Sequence, residues 1–109
     1  TDHIAAWKDS YRGVQGMGSR SKQFILSQSG HITGIINPPS KKKYGHFTNQ
    51  DLTLSSDQWQ KTADFNSGSW WPSWSAWLTR RSGKKIAARH FSEAERENLP
   101  DAPGRYVRL

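Results

Sequence analysis

The apolar residues Ile4, Trp7, Tyr11 and Val14 recur at intervals of three and four, with polar residues between them. That period marks a helix with one buried face. Asp2 or His3 precedes the run, Asp being a good N-cap, and Gly16 and Gly18 close it, so the pattern predicts a helix over 5–16. Lys22-Gln23-Phe24-Ile25-Leu26-Ser27 is a short apolar run between turn signals and predicts a buried strand. Ser29-Gly30-His31 follows at once, and a glycine there lets the backbone turn sharply at the strand end. In Ile35-Ile36-Asn37-Pro38-Pro39 the two prolines bar a helix and hold the chain extended. Ser40 to Tyr44 is a basic loop, and 49–54 is an irregular connector. The N-cap pattern from Ser55 to Trp59 predicts a helix over 56–63. A further helix starts near Pro72, a residue suited to a first helical turn. It sets Trp71, Trp74, Trp77 and Leu78 on one face. From Ser82 to Leu109 the chain is charged, carries Pro100 and Pro103 and lacks periodicity, which predicts an extended tail. One long strand and three helices do not make a complete sheet protein.

Composition narrows the picture. The 109 residues are 33% hydrophobic, against roughly 45–50% for an average soluble domain, so the chain is poor in core material. It is one small domain at most, of marginal independent stability. Six Trp, four Phe and three Tyr are too many aromatics for a typical disordered tail. No stretch approaches the ~20 apolar residues of a membrane span, and no charged-then-apolar leader opens the chain. The absence of Cys removes disulfides, thiolate zinc sites and a Cys nucleophile. His46 and His90 are expected in loops, and no His pair has metal-ligand spacing, so no metal is expected. The net charge of +7 fits the footprint of a nucleic-acid-binding module. The basic residues are spread along the chain, however, and form no single stripe.

Two residues suggest chemistry. Asp2 stands at the start of a predicted helix, and His31 stands at the end of the predicted strand, 29 positions on. An acid and a His on neighbouring strand ends form the orienting pair of a nucleophilic triad. The carboxylate fixes the imidazole tautomer, and the other ring nitrogen takes the nucleophile's proton. In α/β-hydrolases the order is nucleophile, acid, His, which would put the nucleophile upstream. The plainer account is an N-cap Asp and a turn His.

Longer blocks decide between these accounts. Asp2-His3-Ile4 with Trp7, Ser29-Gly30-His31-Ile32, Gly34-Ile35-Ile36-Asn37-Pro38-Pro39 and Lys41-Lys42-Lys43 occur in that order. Gly68-Ser69-Trp70-Trp71-Pro72 and Ala102-Pro103-Gly104-Arg105-Tyr106-Val107 follow. Together they resemble the C-terminal part of polyhydroxyalkanoate synthases, especially the single-subunit, short-chain type. The resemblance implies an α/β class: the C-terminal fragment of an α/β-hydrolase-like catalytic domain over 1–81, then an extended tail over 82–109. It implies an acyltransferase that polymerises (R)-3-hydroxyacyl-CoA into polyester and releases CoA, with no cofactor beyond the CoA thioester substrate. Its triad is Cys, Asp and His. By motif, Asp2 matches the acid and His31 the His. Asp2 either orients His31 or helps deprotonate the substrate hydroxyl. The Cys elbow is missing, so the chain is expected to begin at the triad acid, to run to the natural C-terminus and to be inactive alone. The spacer from Gly16 to Lys22 is about one residue longer than the family pattern, which a loop absorbs.

The implied partners are the upstream Cys-bearing part, the hydroxyacyl-CoA and polyester chain, and a second copy in a homodimer. The implied location is cytoplasmic, at the polyester granule surface, with no specific nucleic acid and no membrane span. Candidate substrate-binding residues are His3, Asn37, Lys41, Lys42 and Lys43. The three lysines are candidates for the phosphates of CoA, or are simply a solvated loop. Asn37 is equally a loop-stiffening residue. The Trp stripe reads as packing against the core or a missing domain. The remaining alternative is a basic or Trp-faced interaction module without catalysis.

Overall fold

A computed structural model describes residues 4–108. Asp2 and His3 lie outside the described residues. The expected helices form: α1 spans Trp7–Gly16, α2 Ser56–Thr62 and α3 Trp71–Thr79. At the start of α2, Ser55 accepts from the Gln58 backbone N–H while the Gln58 side chain reaches back to Ser55, a full capping box. Pro72 sits in the first turn of α3. Lys22 Nζ donates to the carbonyls of Gln15 and Met17, 3.0 Å each, and so closes the C-terminal end of α1.

The strand content differs from the expectation. In place of one long strand there are three short ones, β1 (Ile25–Ser27), β2 (His46–Thr48) and β3 (Asp64–Asn66). They form an antiparallel sheet in the order β1-β2-β3. Leu26 faces Phe47, and Phe47 faces Phe65. β2 and β3 were hidden because three residues show no period, and Asp64-Phe65-Asn66 is polar and mostly exposed. His46, expected in a loop, is in β2 and buried. Gly45 lets the Phe65 ring lie against the backbone; a Cβ there would stand 2.3 Å from that ring.

The core lies between α1, α2 and β1. Tyr11, Leu26 and Trp59 are buried, with Trp7, Phe24, Phe47, Leu52 and Leu54 packed around them. Ring centroids of Tyr11, Phe24 and Trp59 are 5.2–5.6 Å apart, mostly edge to face, the arrangement ring quadrupoles favour. The 49–54 connector is irregular, as expected, but firmly held. Tyr11 Oη donates to Leu54 O, Gln15 Nε2 to Leu52 O and Leu54 O, and Trp59 Nε1 to Asn49 O.

The tail is not wholly extended. Ser92 and Glu95 form a second capping box that starts α4 (Glu93–Glu97), and a 3-10 turn spans Tyr106–Arg108. Periodicity is not visible in five residues, but the Ser-x-x-Glu signal is there in the sequence. Residues 80–103 are all exposed, and the radius of gyration is 19.0 Å. A compact chain of this length has about 13 Å, so the tail stands off the core. Hydrogen bonds from Ser92 to the Glu95 carboxylate hold its pKa below the usual value.

Trp59→Ala removes the centre of the cluster and should cost about 3–5 kcal/mol, read by chemical denaturation. Burial, aided by the charge of Asp51, raises the Tyr11 phenol above its ordinary pKa. The folded state therefore holds the phenol proton more tightly than the unfolded state does. The stability from the neutral phenol is complete below about pH 10 and is lost as pH rises through the folded value. Tyr11→Phe should flatten this alkaline loss while weakening the fold by about 0.5–1.5 kcal/mol at neutral pH, both read from melts across pH.

Candidate functional site

β1 ends at Ser27, and the chain turns through Ser29 and Gly30 into a tight turn over 31–35 that begins with His31. The turn is tied to itself. Gly34 N donates to Gly30 O at 2.7 Å, and Ile35 N and Ile36 N donate to Ile32 O. The Ser29 and Thr33 hydroxyls are 2.6 Å apart. Gly34 is buried, and a Cβ on it would stand 2.7 Å from Gly30 O, so glycine is required by close backbone approach.

The turn is also tied to α3. Trp70 Nε1 donates to Gly34 O at 2.9 Å, and Trp71 Nε1 donates to Ile35 O at 2.8 Å. The loop that carries them is fixed in turn: the His46 Nδ1–H donates to Gly68 O at 3.0 Å, and Ser69 Oγ accepts from Trp71 N. His46 is therefore a structural residue that joins β2 to the start of α3.

A cavity of about 480 Å³ opens between α1, β1, the turn and α3. Its walls include Trp7, Phe24, Leu26, Trp70, Trp74 and Trp77, with Ser10, Gln23, Ser27 and Ser29 among the polar groups. His31 is the one titratable side chain among the described residues that line it. The stripe on the cavity side is Trp70, Trp74 and Trp77. Trp71, expected with Trp74, is not among the lining residues and instead braces the turn. Arg81 stacks over Trp77 at 4.0 Å and donates to Ser21 Oγ, which ties the end of α3 to the segment before β1.

The other candidates are placed elsewhere. Asn37 is buried, and its Nδ2 donates to Lys43 O at 2.9 Å, closing the basic loop on itself. Lys41, Lys42 and Lys43 are exposed, with Lys42 in the left-handed region at φ 48°. None of these four lines the His31 cavity. No cluster of three or more His, Asp or Glu side chains fit to hold a metal occurs among the described residues. Sequence reasoning missed the bracing by Trp70, Trp71 and Gly34. The available signal was chemical: an indole N–H that is partly buried needs an acceptor.

No family model matches the chain. Curated relatives do. It is 43% identical over 108 residues to the poly(3-hydroxyalkanoate) polymerase subunit PhaC of Cupriavidus necator, covering 98% of this chain and 18% of that protein. It is 40% identical over 107 residues to poly(3-hydroxyalkanoate) polymerase 2 of Ectopseudomonas oleovorans, covering 97% and 19%. For the PhaC subunit of Rhizobium etli the identity is 37% over 106 residues, covering 97% and 16%. This chain is a segment related to the poly(3-hydroxyalkanoate) polymerases. The resemblance carried by the Ser29-Gly30-His31-Ile32 and Gly68-Ser69-Trp70-Trp71-Pro72 blocks is thus borne out, and the segment spans less than a fifth of those relatives' length. No helix among the described residues is long and apolar enough to cross a membrane.

Gly34→Ala should displace the His31 turn, because the added methyl meets backbone rather than a flexible side chain. The expected cost is about 1–3 kcal/mol, with amide shifts concentrated at 29–36 in NMR spectra. An unshifted spectrum would show that the turn tolerates a Cβ.

Proposed function

We propose that this chain provides the acid and the base of a polyester synthase active site, with His31 as the base and Asp2 as the acid. The observation that carries this reading is the placement of His31 on an apolar cavity of about 480 Å³, a volume suited to a small acyl group. Ala5, three positions after Asp2, lines the same cavity. The α/β-hydrolase-like frame and the Cys nucleophile then belong to the upstream part of the enzyme.

The proposed chemistry is a thioester exchange. His31 takes the proton of the Cys thiol, and the thiolate attacks the carbonyl carbon of an (R)-3-hydroxyacyl-CoA. The tetrahedral intermediate collapses with cleavage of the bond to the CoA sulfur, and the imidazolium returns its proton to that sulfur. The acyl group is left on the Cys. The 3-hydroxyl of the next hydroxyacyl-CoA then gives its proton to His31 and attacks the carbonyl of the Cys thioester. The C–S bond to the Cys breaks, and the Cys thiolate leaves and regains a proton from His31. The extended chain, now a CoA thioester, re-acylates the Cys with release of CoA, with Asp2 either orienting His31 or aiding the deprotonation of the hydroxyl. CoA is the leaving group of the substrate, and no separate cofactor is required. The exposed Lys41-Lys42-Lys43 loop remains a candidate contact for the CoA phosphates, with His3 and Asn37 as further substrate-side candidates. The proposed setting is a homodimer at the surface of cytoplasmic polyester granules.

A second reading rests on a different observation. Ile32, Ile35 and Ile36 are 58–67% exposed on the same turn, and Trp74 is 48% exposed beside it. An apolar ridge of this kind suits an interaction surface. As a pure interaction module the chain would need Trp74 and not His31.

Mixing the chain with the separately expressed Cys-bearing part and following CoA release from (R)-3-hydroxybutyryl-CoA separates the two. Release is expected only with both parts present, with a loss of at least about 10³-fold for His31→Ala. Equal release with His31→Ala, together with loss on Trp74→Ala, would leave the interaction reading.

A further inference from the structure

We infer that Trp70 and Trp71 are positioning residues for His31, acting through their indole N–H groups and not through their aromatic surface. This rests on the proposed role of His31 as the base. Consecutive tryptophans send their two N–H donors to consecutive carbonyls, Gly34 O at 2.9 Å and Ile35 O at 2.8 Å, at the far end of the five-residue turn that His31 opens. The near end is held by Ser29, Gly30 and Thr33. The turn is thus gripped on both sides of the imidazole. The grip has a firm base, because β2 holds Gly68 through the buried His46.

This arrangement suits a residue that projects from an exposed turn and yet has to meet a nucleophile on another part of the enzyme. Ile32 and Ile35 within the turn and Ile36 just after it are largely exposed, so packing within the segment does little to hold the turn. Directional hydrogen bonds do that work instead, and a misplacement of about 1 Å at a reacting group can cost about 10²-fold in rate.

The test uses the full-length polymerase that contains this segment. Trp70→Phe and Trp71→Phe keep an aromatic ring and delete the N–H donor together with the second ring of the indole. Each is expected to lower kcat about ten-fold, with KM for (R)-3-hydroxybutyryl-CoA unchanged within about two-fold. On a His31→Ala background the same substitutions are expected to cause no further loss, because they act through His31. Benzothienylalanine at position 71 replaces N–H by sulfur at nearly the same shape, and should reproduce the fall of Trp71→Phe even if the smaller ring of Phe perturbs folding. Full kcat with benzothienylalanine, or an equal fall with and without His31, would overturn the inference. If His31→Ala itself retains kcat, the assignment of the base fails and the positioning role falls with it. If His31→Ala is inactive while both Phe variants keep full kcat, only the positioning role is lost.

Discussion

Edge-to-face contact among Tyr11, Phe24 and Trp59 is the interaction on which the rest of the segment depends. A chain with so few apolar residues cannot build a broad core, and among the described residues the buried hydrophobic side chains are Tyr11, Leu26 and Trp59. Large flat rings compensate, since each buries far more area than an aliphatic residue and adds a preferred geometry. One ring comes from α1, one from the segment entering β1 and one from α2. Their meeting therefore fixes three elements at once, and the connector between β2 and α2 is hydrogen-bonded onto the same group through Tyr11, Gln15 and Trp59.

The His31 cavity inherits its shape from that cluster. Trp7 and Phe24 belong both to the aromatic group and to the cavity wall. The opposite wall is α3, which is joined to the sheet through His46 and Gly68 and to the segment before β1 through Arg81. The cavity that His31 lines thus lies between a packed wall and a hydrogen-bonded one.

The helices were legible in the sequence because their signals are local. Spacing of Trp7, Tyr11 and Val14, the Ser55–Gln58 box and the Pro72 start each act within a few residues. The His31 turn was legible as a turn for the same reason. The short strands β2 and β3 were not, because a three-residue strand is defined by its partners rather than by its own period. The small helix after Ser92 is marked only by its capping box, a single local signal inside a charged, proline-bearing stretch. The face expected to hold Trp71, Trp74, Trp77 and Leu78 divides: Trp74 and Trp77 line the cavity together with Trp70, while Trp71, like Trp70, braces the turn.

By itself the sequence determined α1, α2 and α3, the position of His31 after a strand and the kinship with the poly(3-hydroxyalkanoate) polymerases. All of these follow from residues close together in the chain or from motif order. Only the tertiary structure decided that Trp70 and Trp71 reach back 36 residues to the turn, that Asn37 closes the lysine loop, and that the lysines stand away from the cavity. Hydrogen bonds across such distances depend on where whole elements pack, and that is settled by the aromatic core rather than by any local pattern.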